Sequence, residues 1–124
     1  MQLAQLVRFN VGTTIGQFRA TPVRLGEGKP RAVCALYSED AEIDPYIGMF
    51  FFPTPTLKMM LFDETGTVHW TRDLGPGVVP GIWFSPILAF DLDGDGVDEI
   101  WIVDNTDPAH PLDYRRYALA RVDA

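Results

Sequence analysis

Ser85-Pro86-Ile87-Leu88-Ala89-Phe90 runs into Asp91-Leu92-Asp93-Gly94-Asp95-Gly96-Val97-Asp98-Glu99, which runs into Ile100-Trp101-Ile102-Val103-Asp104. The two outer segments are short and rich in branched and aromatic side chains, as strands are. Residues 99–104 are apolar on both faces and predict an inner strand with both sides covered. The middle segment is too acidic and too rich in glycine to continue either strand. It predicts a loop joining two β-strands, with Gly94 and Gly96 permitting a sharp backbone path.

That loop has the chemistry of a hard-cation site. Calcium takes about six to eight oxygen ligands. Acids on alternate residues turn their side chains toward one side, and Asp91, Asp93 and Asp95 hold the first, third and fifth positions. Val97, at the seventh, can offer a backbone carbonyl, and Glu99, at the ninth, a further carboxylate. Asp98 falls between these positions and is expected to point outward. The helix-flanked calcium loop needs a Glu at its twelfth position, where this chain has Ile102, and the flanks here are strand-like. Magnesium suits the segment less, because it prefers a rigid octahedron with several waters. The competing account is a solvated acidic turn that uses Asp and Gly for turn geometry alone.

Outward from the loop, the chain reads as more strands. Residues 57–63 and 68–74 form a hairpin around Glu64-Thr65-Gly66-Thr67, with Val68, Trp70 and Arg72 expected on one face. Residues 114–123 predict a last strand with Tyr117, Leu119 and Arg121 on one side. In the first half, residues 21–25 and 31–37 read as strands about the turn Gly26-Glu27-Gly28-Lys29-Pro30, which lacks the acids of the later loop. Residues 1–16 stay open between helical spacing (Leu3, Leu6, Val7) and a strand-like run (Val11 to Ile15). A repeat emerges: Thr21-Pro22-Val23 resembles Ser85-Pro86-Ile87, and the strand ending at Asp63 resembles the one ending at Asp123. One unit is therefore about sixty residues and four antiparallel strands, the pattern of a propeller blade. The expected fold is all-β: one partial propeller domain over residues 1–124, with a first blade at about 17–75 and an incomplete second at about 83–124. Two blades do not close a propeller, so open edges and apolar faces are expected, inviting self-association or the remaining blades of a longer protein.

Composition narrows the partners. The 124 residues fit one domain, and the net charge of −7 makes nucleic acid an improbable ligand. No segment approaches the roughly 18 apolar residues of a membrane span. No signal-peptide pattern opens the chain, so a cytoplasmic product is expected unless a leader belongs to a longer secreted protein, which would place it outside the cell or in the periplasm. Cys34, the single cysteine, sits in an apolar run and is expected to be a buried strand residue.

Residues 90–100, with the hairpin around Met60-Leu61-Phe62-Asp63-Glu64-Thr65-Gly66 and Trp70, resemble the FG-GAP/VCBS-type propeller repeats. The resemblance implies a calcium ion held by Asp91, Asp93, Asp95, the Val97 carbonyl and Glu99, the last a departure from the usual Asp. More narrowly, the combination is similar to propeller-fold polysaccharide lyases of the rhamnogalacturonan and ulvan type. That implies an acidic polysaccharide as substrate and a fragment not fully active alone. Adhesion or scaffold modules share the loop, and an oligomeric propeller built from blade pairs is the third possibility. Uronate elimination needs a base, an acid and a cation. Of the two histidines, His110, in a loop near Tyr114, Arg115 and Arg116, is the catalytic candidate, and His69 reads as a strand side chain. Trp83 and Tyr46 lie in loops where they could stack on sugars or pack in a core.

Overall fold

The computed structural model describes residues 4–5, 7–39, 56–78, 86–107, 109 and 114–124. Among these, regular structure is all strand apart from one 3-10 turn at Tyr114–Arg116. Strands β1 (Ile15–Val23), β2 (Ala32–Glu39), β3 (Leu57–Asp63) and β4 (Val68–Asp73) form an antiparallel sheet in chain order. Strands β5 (Ile87–Phe90), β6 (Glu99–Asn105) and β7 (Tyr117–Asp123) form a second one. The all-β antiparallel expectation holds. No helix among the described residues is long and apolar enough to cross a membrane.

The two sheets share one core. Cys34, Leu36, Met59 and Leu61 on one face of the first sheet meet Ile100 and Ile102 of the second, with Ala89, Ala120 and Val122 packed around them. Cys34 is fully buried, as its apolar setting predicted. Each strand alternates, so every second side chain enters this core. The other face of the first sheet is covered in part by the N-terminal segment: the Phe9 ring packs edge-on against Phe62, with centroids 4.4 Å apart.

Four expectations need correction. First, β1 begins at Ile15, six residues earlier than read, and ends at Val23. Polar Gln17, Arg19 and Thr21 alternate with apolar neighbours there, so one long edge strand forms where only its apolar end was legible. Second, Val68 and Trp70 do not share a face. Val68 lies opposite Phe62 and Trp70 opposite Leu61, with the register shifting between them. A bulge inserts one residue and reverses the phase of the strand, which turns Trp70 onto the core. Third, β6 is the central strand of its sheet, and its two faces are covered unequally: Ile100 and Ile102 are fully buried, while Trp101 and Val103 on the other face are only half-buried. Leu88 and Leu119, also on that other face, are 60% and 68% exposed.

Fourth, the repeat has a different alignment. Thr21 pairs with Cys34, which pairs with Leu61; Leu88 pairs with Trp101, which pairs with Arg121. Thr21 therefore corresponds to Leu88, not to Ser85. On this register the first turn and the acidic loop have the same length, residues 24–31 and 91–98. The shorter offset at β3 and β7 comes from the connection before them.

Candidate metal centre

The loop 91–98 leaves β5 and returns as β6. Its aspartates organise the loop's own amides. Asp91 Oδ1 accepts from the Gly94 N–H at 2.7 Å and Oδ2 from the Gly96 N–H at 3.0 Å. Asp93 Oδ1 accepts from the Asp95 N–H at 3.3 Å, and Asp95 Oδ1 from the Val97 N–H at 2.8 Å. These bonds need the chain to curl around the carboxylates, and Gly94 and Gly96 take φ of 79° and 92° to allow it. An L side chain rarely adopts such φ values.

The curl gathers one carboxylate oxygen from each of Asp91, Asp93 and Asp95 within 4.8 Å of one another. Oxygens on opposite sides of an ion at about 2.4 Å are separated by about 4.8 Å. The three can thus share one cation. The donors are oxygen only, which suits calcium or magnesium and not a soft metal. Asp91 is half-buried while Asp93 and Asp95 are exposed, so waters can complete a coordination shell.

Glu99 stands apart from this trio. It is buried, its Oε2 accepts from the Leu92 N–H at 2.9 Å, and its Oε1 lies 3.5 Å from Arg121 Nη2. It closes the base of the loop from the first residue of β6. Val97 donates its amide to Asp95, and a Cβ placed on Gly26 would lie 3.7 Å from its Cγ2. The acidic loop therefore rests against the matching turn of the first sheet.

Asp98 does the opposite of what its position suggested. It points inward and is only 7% exposed. Its carboxylate accepts from the Arg24 backbone N–H at 2.8 Å and from Arg24 Nε and Nη2 at 3.2 and 3.0 Å. Its own N–H donates to the Arg24 carbonyl at 2.9 Å. The reason is local: the loop's backbone runs beside the end of β1, and Arg24 presents an amide and a carbonyl that the sheet does not use. Arg24 Nη2 also approaches Asp91 Oδ2 at 4.0 Å. The Asp98 hydrogen bonds, then its charge, raise the guanidinium's pKa further above its ordinary value.

Arg24, Asp98 and Arg121 are the site residues that sequence reasoning missed. Arg121 reaches Asp93 at 3.7 Å and Glu99 at 3.5 Å while its Nε donates to Asp123 at 2.9 Å. Strand pairing would have pointed to it: Arg121 lies opposite Trp101, one same-face step from Glu99. For Arg24 the chain offers no signal, because its partner is 74 residues away.

A different turn of the first sheet, between β3 and β4, is closed by Asp63. This buried carboxylate accepts from the Thr65 hydroxyl and N–H, from the Thr67 N–H at 3.1 Å and pairs with His69 Nε2 at 2.9 Å. The Thr65 hydroxyl bond is the main cause that holds its pKa down at about 2. His69 thus serves a turn. Arg115 and Arg116 are exposed in the 3-10 turn before β7. His110, Trp83 and Tyr46 lie outside the described residues.

Comparison with protein-family models, with curated proteins and with solved structures finds no match for this chain.

Proposed function

We propose that the chain is a calcium-stabilised β-sheet module of the propeller-repeat type, in which the ion is a clamp on the fold and not a seat of chemistry. The observation that carries this is the convergence of Asp91, Asp93 and Asp95 in a loop that Asp98 fastens to the other sheet. Asp91, Asp93 and Asp95 would hold the ion, with the Val97 carbonyl and Glu99 as the further ligands that the resemblance implies. Calcium supplies charge neutralisation at this point. The chain's own residues then do the structural work: Gly94 and Gly96 make the curl, Glu99 closes its base, and Asp98 docks it on Arg24.

The carbohydrate-active side of the resemblance belongs to the same proposal as a partner class, an acidic polysaccharide. Among the described residues the clamp has the direct support, and His69 is paired with Asp63 within a turn. Isothermal titration with calcium chloride tests the clamp: the proposal expects one ion per chain and loss of the signal in Asp93→Ala. No heat and no saturation with the unmutated chain would refute it. Incubation with uronate polymers, followed by ultraviolet absorbance of unsaturated products, tests the polysaccharide partner separately.

A further inference from the structure

The second sheet turns an apolar face to solvent. Leu88 and Phe90 of β5, Leu92 of the loop and Leu119 of β7 are 60%, 55%, 63% and 68% exposed. With Trp101 and Pro86 they line a groove of about 470 Å³. Four side chains exposed to this degree present roughly 400–500 Å² of apolar surface. That is near the largest patch an ordinary monomer carries. It is also the size of the apolar centre of a standard interface, which buries about 800 Å² on each partner and is rimmed by polar groups.

Strand register identifies what kind of surface this is. Cys34 and Trp101 occupy matching places, as do Leu36 and Val103, and Met59 and Leu119. The open face of the second sheet is thus the counterpart of the face by which the first sheet packs on the second. It is a sheet-packing face without its sheet. The complementary face, which Ile100, Ile102, Ala120 and Val122 provide in the second sheet, corresponds in the first to Val33, Ala35, Met60 and Phe62. There, Ala35 and Met60 are already buried, and Phe62 carries Phe9. A second copy cannot stack head to tail without uncovering them. Face against like face remains, and this closes on itself by a two-fold axis.

We propose that the chain forms a two-fold dimer through the Leu88, Phe90, Trp101 and Leu119 face of its second sheet, with a second copy of the chain as the occupant. Arg121 and Asp123, adjacent on the same face of β7, put both signs of charge at one edge of this face, next to the Asp91, Asp93 and Asp95 loop.

Sedimentation velocity of the full chain from roughly 1 to 100 μM, which covers the weak end of the affinities such interfaces span, reads the outcome. A concentration-dependent monomer–dimer equilibrium is expected. Leu119→Arg and Leu88→Glu, both at well-exposed positions, should weaken the dimer roughly tenfold or more, with unchanged circular dichroism. Phe18→Lys, at a residue 53% exposed on the first sheet, should leave it intact. A monomer at every concentration overturns the proposal. So does a polymer series, which means head-to-tail stacking, or dimer loss in Phe18→Lys equal to that in Leu119→Arg.

Discussion

Calcium should raise the thermal midpoint of this chain by about 10 °C, and the size follows from the loop's construction. Three carboxylates share the site, two of them exposed, which resembles the weaker calcium modules with a Kd of about 10⁻⁴ M. At about 10 mM calcium, a hundredfold excess over that Kd, binding to the folded state alone adds about 2.7 kcal/mol. A 124-residue chain unfolds with an entropy of about 0.26 kcal/mol/K, so that free energy moves the midpoint by about 10 °C. Asp93→Ala removes one ligand and should abolish the shift. It should not cost much stability without calcium. Oxygens gathered within 4.8 Å repel by about 1 kcal/mol per pair in water, and the substitution relieves two such pairs while losing the 3.3 Å bond to the Asp95 amide and the exposed 3.7 Å approach of Arg121. The assay is a melt followed by circular dichroism in calcium chloride, with sodium chloride at matched ionic strength. No calcium-specific shift, or an equal shift in Asp93→Ala, refutes the clamp.

The remaining expectations concern the joints around it. Asp98→Ala leaves the Arg24 amide without its carboxylate, which costs about 1–3 kcal/mol; Arg24→Ala keeps that amide bond and should cost less in the same denaturant titration. Asp63 has its folded pKa held at about 2, below an ordinary value near 4. Its contribution is therefore present above pH 4 and lost as pH falls toward 2, and Asp63→Asn should flatten that acid limb in pH-dependent melts. Cys34 is buried and its thiol is pushed up to about 12 by desolvation, so disulfide-reagent labelling should be slow in the folded chain and rapid in guanidinium. Ile100→Ala empties a fully buried position between the sheets and should cost about 2–5 kcal/mol by equilibrium unfolding.

Much was legible in the chain itself, because it depends on neighbours in sequence. The alternation of Ile87 to Phe90 and of Tyr117 to Asp123, the Asp63 turn, and the curl that Gly94 and Gly96 give the aspartates are all short-range consequences of side-chain type. So was the all-β class, since Gly and Pro break the chain often and the short apolar runs between them read as strands. Tertiary structure decided whatever rests on partners far along the chain. Asp98 turned inward because a backbone amide 74 residues away needed an acceptor. Trp70 reached the core because a bulge opposite β3 changed the phase of β4. The open face of β6 was illegible for the same reason: apolar side chains look alike in sequence whether a sheet covers them or not, and only the packing of two sheets showed which face had found its cover.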